Sequence, residues 1–341
     1  MEFGKPQIEA AVELMQAAQN ILISTHKNPD GDAIGSSTAL YHLLKARGKN
    51  CKILLPDSAP QSLQWMLREI PVLVYETHPE DVKEEIPTFD LMIIADYNHL
   101  GRVGKELEVI LNEVNIPAIM IDHHQQPANF PVVTMSDTSA CSTCELVYRF
   151  AQLCGMETLL NVQCAASIYC GIVTDTGSFR YDSVTAETHR IVSRLIDMGI
   201  DHASIHREIY DTNSPQRLRL IGYSLSKKLH ISKCGTTAWI WLDAEELTAH
   251  SYQQGDAEGL VNQALSINGV KLAAFFRESK GEIKTSFRSK GQFDVNSFAR
   301  KYWQGGGHFH AAGGSSALTM KETLEKFEKL IDEHSEVIGL S

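Results

Sequence analysis

Three short apolar runs each end in acidic or histidine residues, and this arrangement restricts what the chain can fold into. Ile21–Thr25 runs into His26, Asp30 and Asp32, Leu91–Ala95 runs into Asp96, and Ala118–Ile121 runs into Asp122-His123-His124. A continuous apolar run of this length is how a strand buried on both faces reads, and amphipathic stretches such as Ile34–Arg47, with Gly48 as a stop, read as helices. Cys51–Leu55 supplies one more strand. Strands alternating with helices predict an α/β fold with a parallel sheet. Ligands in such sheets bind beyond the carboxyl ends of the strands, so the three runs deliver their polar ends to one place. Asp175 joins them from the end of a largely buried helix over Val162–Val173.

Carboxylates mixed with imidazoles suit Mn, Fe, Co or Zn better than Ca, which prefers an all-oxygen shell. No cysteine belongs to the cluster, which argues against a structural zinc site. Crowded carboxylates repel unless cations neutralise them. Two metals about 4 Å apart, sharing a carboxylate and a water, are the usual device for in-line attack at phosphorus. Each piece has a plainer reading. An isolated Asp30-Gly31-Asp32 is more often a turn, a His pair an ordinary loop, and Asp175 a helix cap. Three of them at strand ends together outweigh those readings.

A chain of 341 residues exceeds what one core usually takes, so two domains are expected. Ala186–Gly199 and Ile205–Ser224 read as helices, with turn signals only around Thr212–Pro215, and the boundary falls in this region. The expected division is 1–190, a helical linker over 191–225, and 226–341. After it, strands are expected over Thr236–Trp241, Val270–Phe276 and Ile283–Arg288, punctuated by Gly291, Gly305–Gly307 and Gly313-Gly314. This predicts a smaller mixed sheet with helices.

The formal net charge of −11 makes the chain a poor candidate for long nucleic acid, where affinity comes from many phosphate contacts. A short anionic ligand remains feasible where metals or a local basic patch supply the field. Between Lys271 and His310 eight Lys/Arg face three acids, a local balance of +5. The apolar runs are too short to cross a bilayer and the N-terminus lacks a signal-peptide core, so a cytoplasmic protein without a membrane partner is expected. Seven cysteines, an odd number scattered through apolar runs, fit reduced thiols.

At these residues the sequence resembles the DHH phosphoesterase family. The matching pieces are His26-x-Asn28-Pro29-Asp30-x-Asp32, Asp96-x-Asn98, Asp122-His123-His124 and Gly171-Ile-x-Thr-Asp175-Thr-Gly177. The second half carries Ser286-Phe-Arg288-Ser289 and Gly305-Gly-Gly-His308-x-x-Ala311-Ala-Gly313, which resembles the family's DHHA1 substrate-binding domain. The resemblance spans nearly the whole chain and is closest to the short nanoRNase and pAp-phosphatase branch. It implies a parallel-sheet DHH domain and a mixed-sheet DHHA1 domain with the active site in the cleft between them. It also implies hydrolysis of very short RNAs and of 3′-phosphoadenosine 5′-phosphate (pAp), usually with manganese.

Carried over position by position, the resemblance implies His26 and Asp30 on one metal, Asp32 and His123 on the other, Asp96 bridging, and Asp175 completing the shell. Asp122 would orient a ligand, His124 would reach the scissile phosphate, and a hydroxide activated by both metals would attack phosphorus. Asn98, Arg288, Gly305, Gly306, Gly307 and His308 would contact substrate. Guanidinium suits a phosphate clamp because it is planar and bidentate. Gln304 stands where the family often has a further glycine, which bears on loop shape and fine substrate preference.

Other features carry weaker signals. Cys141-Ser-Thr-Cys144 has redox or zinc spacing but no second pair, and reads as structural. Trp239 and Trp241 could stack bases but fit core packing better, and His310 is a lesser candidate than His308. Competing functions are a linear or cyclic dinucleotide phosphodiesterase, an exopolyphosphatase or pyrophosphatase, and a non-catalytic nucleotide sensor. Association into a homodimer is left open by the residues.

Overall fold

In the first half of the chain, strands β1 (Asn20–Ser24), β2 (Asn50–Leu55), β3 (Val72–Val74), β4 (Leu91–Ala95), β5 (Ala118–Asp122) and β6 (Val133–Ser136) form a wholly parallel sheet in the order β3-β2-β1-β4-β5-β6. The chain lays strands outward on one side of β1, then returns to place β4 on its other side. The order therefore reverses between β1 and β4, which is where an open parallel sheet forms a crevice at its carboxyl edge. Successive strand residues feed opposite cores. Ile21, Ile23 and Ile93 enter one hydrophobic cluster, while Leu22, Met92 and Ile94 enter another. Burial on both faces is why these runs are continuous rather than alternating.

The computed structural model describes residues 3–279 and 281–339, which fall into two compact units, one reaching Thr212 and the other starting at Asn213. In the first unit the helices are α1 (Lys5–Ala17), α2 (Gly31–Ala46), α3 (Pro79–Glu85), α4 (Lys105–Glu113), α5 (Thr143–Leu153), α6 (Val162–Asp175), α7 (Ala186–Asp197) and α8 (His202–Tyr210). Helix α2 starts three residues earlier than its apolar periodicity suggests. Asp30 caps it, its Oδ1 accepting from the Asp32 and Ala33 amides at 3.1 Å each. Helices α2 and α6 pack so closely that glycine is required at the contact. A Cβ on Gly35 would lie 2.6 Å from the Ser167 carbonyl of α6, and one on Gly171 would lie 2.8 Å from Asp32 Oδ1 of α2 and 2.1 Å from Cys144 Sγ of α5. That approach brings Asp32, at the start of α2, near Asp175, at the end of α6.

The second unit comprises α9 (Pro215–Tyr223), β7 (Leu229–Ile231), β8 (Thr237–Leu242), α10 (Ala244–Ala249), α11 (Leu260–Leu265), β9 (Leu272–Ser279), β10 (Glu282–Ser289), α12 (Val295–Tyr302), β11 (Gly306–Gly307), β12 (Ala311–Ser316), α13 (Met320–Glu333) and α14 (Ser335–Gly339). Its sheet runs β11-β12-β10-β9-β8-β7, with β8 and β9 parallel and the other neighbours antiparallel. One face carries an aromatic core of Phe276, Phe287, Phe298, Trp303 and Phe327.

Strands β3, β6, β7 and β11 have no counterpart in the sequence expectation, and two further elements depart from it. The stretch Ile205–Ser224, expected as one helix, is two. Pro215 has no amide hydrogen to continue α8, and Ser214 caps α9 by accepting from the Arg217 amide at 3.0 Å. Strand β12 was unforeseen because Ala311-Ala-Gly-Gly-Ser-Ser316 has no β-branched or aromatic residue. It is a strand through its pairing with β10, from Ile283–Ser316 to Arg288–Ala311.

Candidate metal centre

The carboxyl ends of β1, β4 and β5 bring the acidic and histidine residues together at the strand-order reversal. His26 Nε2 lies 3.3 Å from Asp96 Oδ2 and 3.9 Å from Asp30 Oδ1. His123 Nε2 lies 3.8 Å from Asp32 Oδ2, 3.7 Å from Asp96 Oδ1 and 3.5 Å from Asp175 Oδ2. The donor groups within this unit include His26–Asp30–Asp96 and Asp32–Asp96–His123, which share Asp96 through different oxygens, and Asp96–Asp122–His124. Asp96 itself has φ +67°, a left-handed backbone uncommon outside glycine. Strain of this kind persists where the surrounding structure imposes it.

Both histidines turn the same nitrogen to the carboxylates. His26 Nδ1 lies 2.9 Å from the Lys27 carbonyl, and His123 Nδ1 lies 3.3 Å from the Ala140 carbonyl. A carbonyl only accepts, so Nδ1 carries the proton and Nε2 presents a lone pair. In that neutral tautomer lone pairs face carboxylate oxygens that also only accept, so each contact needs either a second ring proton or a cation between the atoms. A cation resolves this. Donors bound roughly 2.1 Å from one metal at tetrahedral or octahedral angles sit about 3.0–3.5 Å apart, near the spacings seen here. The donor set thus fits divalent transition metals.

The electrostatics agree. Burial together with Asp96 and Asp175 pushes Asp32 well above the carboxylate range. Burial opposes charge on Asp96, yet the hydrogen bond with His26 and the neighbouring His124 and His123 hold it well below that range. His123 resists burial because Asp175, Asp32 and Asp96 draw it up to about 9. By themselves the side chains must share protons to coexist, a role cations fill better.

Asp122 and His124 form a hydrogen-bonded pair that adjoins Asp96, His124 Nδ1 lying 3.7 Å from Asp96 Oδ1. Asp122 is fully buried, its Oδ1 2.7 Å from His124 Nδ1 and its Oδ2 accepting the His124 amide at 3.0 Å. Burial and the charge of Asp96 push Asp122 up to about 7, while burial holds His124 well below its ordinary value. Asn98 is also buried. Its side-chain amide donates to the Gln125 carbonyl at 2.7 Å and its own carbonyl accepts from the Ala128 amide, which ties the loops after β4 and β5 together.

Arg102 went unrecognised in the sequence. It lies six residues past Asp96 in the turn Leu100–Val103, and its carbonyl accepts the Lys27 amide at 2.9 Å. It is half-buried, has no salt bridge among the described residues, and its charge bears on His26, Asp122 and His124. A lone arginine shortly after a strand-end aspartate was the only available signal.

In the second unit, Ser286 and Arg288 share the face of β10 opposite buried Phe287, and the Arg288 guanidinium donates to the Phe287 carbonyl at 3.0 Å. The glycine run is explained first by packing. A Cβ on Gly305 would lie 1.9 Å from the Gly313 carbonyl. The Gly307 amide donates to Asn296 Oδ1, and the His308 amide to the Ala311 carbonyl. Ser289 Oγ lies 3.1 Å from His310 Nδ1. Trp239 is in the core, whereas Trp241 is half-buried under the Lys228 ammonium, 3.2 Å from its ring centroid.

Comparison with known proteins places this geometry. The model of the DHH family, N-terminal domain, matches residues 20–172, and that of the DHHA1 domain matches 238–339. The Thermus thermophilus protein named bifunctional oligoribonuclease and PAP phosphatase NrnA is 29% identical over 96% of this chain and 94% of its own length. The Bacillus subtilis protein of the same name is 28% identical over 92% and 95%. The crystal structure of an exopolyphosphatase-related protein from Bacteroides fragilis superposes with a TM-score of 0.92 at 37% identity, covering 98% of both chains. The chain belongs to the DHH/DHHA1 family of phosphoesterases, hydrolases acting on phosphoester bonds.

Proposed function

We propose that this phosphoesterase hydrolyses short oligoribonucleotides to mononucleotides and dephosphorylates 3′-phosphoadenosine 5′-phosphate. The carrying observation is the sharing of Asp96 between two donor groups, through Oδ2 toward His26 and Oδ1 toward His123. His26 and Asp30 would hold one divalent cation, Asp32, His123 and Asp175 the other, and Asp96 both. Such cations, manganese first among them, supply a lowered pKa for bound water and charge neutralisation on the phosphoryl oxygens. Asp122 orients His124 through the 2.7 Å contact, so that the imidazole meets a phosphoryl oxygen. Arg102 adds positive charge on the same side, and Asn98 keeps the two loops in register.

In the second unit, Arg288 suits phosphate as a bidentate donor. The glycine run and His308 accompany it as substrate contacts. The names borne by the Thermus and Bacillus relatives support the substrate class. The absence, among the described residues, of a helix long and apolar enough to cross a membrane fits action on small substrates in the cytoplasm.

The test is a panel of labelled RNAs of two to five nucleotides, pAp, a cyclic dinucleotide, pyrophosphate and polyphosphate, each with Mn, Mg, Co or Zn. Turnover of the short RNAs and pAp is expected. Phosphate release from polyphosphate alone would overturn the reading in favour of the activity suggested by the name of the Bacteroides relative. Asp96→Asn should abolish turnover with the fold intact, and retained activity would refute the shared-ligand role.

A further inference from the structure

We infer that Thr143 is a positioning residue: the first turn of α5 grips Asp32 and Asp96 and thereby sets how the two donor groups divide between them. The inference rests on the two-cation reading above. Three contacts carry it. The Thr143 amide donates to Asp32 Oδ2 at 2.6 Å, and the Cys144 amide donates to Asp32 Oδ1 at 2.8 Å. The Thr143 hydroxyl donates to Asp96 Oδ1 at 2.9 Å. All four residues, Thr143, Cys144, Asp32 and Asp96, are buried, so no water competes for these bonds.

The two amides belong to a helix start, where N–H groups lack intrahelical partners and the peptide dipoles favour an anion. They engage both oxygens of Asp32 and so fix the plane of its carboxylate. Each oxygen keeps a second lone pair, and Oδ2 presents its own toward His123, 3.8 Å away. This grip favours the anionic form, against burial and the charges of Asp96 and Asp175.

Asp96 has the greater need of positioning. Its carboxylate must face both ways, and rotation about the Cβ–Cγ bond is otherwise soft. With Oδ1 tied to the Thr143 hydroxyl, Oδ2 is directed to His26 at 3.3 Å and Oδ1 to His123 at 3.7 Å. Cys144 anchors the same turn from behind, its thiol directed to the Asp32 and Ser167 carbonyls at 3.7 and 3.8 Å. Cys141-Ser-Thr-Cys144 therefore has a role unrelated to its cysteine spacing: the residue between the cysteines that matters is the threonine.

The experiment compares full-length wild type, Thr143→Val and Thr143→Ser. Divalent-cation binding is read by titration calorimetry with Mn, folding by circular dichroism and thermal midpoint, and turnover separately. Valine keeps the shape and the backbone amide and removes only the hydroxyl. Thr143→Val should stay folded and lose about tenfold or more in affinity for manganese, as expected when an outer hydrogen bond to a ligand is removed. Thr143→Ser should restore it. Wild-type affinity in a folded Thr143→Val protein would overturn the inference. If Thr143→Val does not fold, Thr143→Ser decides: failure to bind manganese like wild type would count against the hydroxyl. If wild type itself binds no divalent cation, the two-cation reading fails instead.

Discussion

Asp122 and His124 are joined twice, through a 2.7 Å contact between Oδ1 and Nδ1 and a 3.0 Å bond from the His124 amide to Oδ2. A two-residue loop closed at both ends leaves the imidazole little freedom. Asp122→Asn keeps the shape but can donate where the carboxylate only accepts, so the ring loses its preferred tautomer. Turnover should fall about 10- to 100-fold. The thermal midpoint should hold or rise, because a neutral amide avoids the burial that pushes Asp122 up to about 7. Activity and melting measured on the same preparation check this.

Gly171 is the position where packing and the metal centre meet. A Cβ there would lie 2.1 Å from Cys144 Sγ and 2.8 Å from Asp32 Oδ1. Gly171→Ala should cost about 1–3 kcal/mol through overpacking. It should also weaken cation binding by shifting Asp32. Denaturant titration and calorimetry separate the effects, and a variant with wild-type values in both would contradict the close approach of α6 to α5 and α2.

Gln304 has φ +47° and an exposed side chain. A non-glycine residue pays roughly 1–2 kcal/mol in the left-handed region, whereas glycine pays about 0.5–1 kcal/mol more in lost chain entropy. Gln304→Gly should therefore stabilise the protein by about 0.5–1 kcal/mol, read as a higher denaturant midpoint with unchanged slope.

Cys234 is exposed, with its thiol 3.3 Å from the Ser232 hydroxyl and 3.0 Å from the Thr236 hydroxyl. These bonds favour the thiolate and draw Cys234 down to about 7. Burial pushes Cys51, Cys154 and Cys164 in the opposite direction. Thiolate is the reactive form, so native-state alkylation should label Cys234 first, at a rate rising through a midpoint near pH 7. Ser232→Ala should move that midpoint upward. Mass-spectrometric mapping against pH checks both.

Much of the first unit was legible because its strands are buried on both faces. Leu91–Ala95 was readable to its boundaries, and β1, β2 and β5 to within one residue. The donor residues were legible because their strands end where polarity begins. The short edge strand β3 and the glycine-rich strand β12 were not, since pairing rather than composition makes them strands. Arg102 and Thr143 were missed for a related reason. Neither sits at a strand end, and their contacts with the cluster cross 47 residues for Thr143 and Asp96 and 111 for Thr143 and Asp32.

The α/β class, the family resemblance and the inventory of carboxylates and histidines follow from residue order alone, because hydrophobic period and residue chemistry are local properties. How the inventory is divided follows from the fold. That Asp96 turns one oxygen to His26 and the other to His123 depends on the strand-order reversal beside β1, on the glycine contact between α2 and α6, and on the hydroxyl of Thr143. Each is a contact between segments distant in the chain, and such contacts are set by packing and hydrogen-bond satisfaction in three dimensions, which no local pattern encodes.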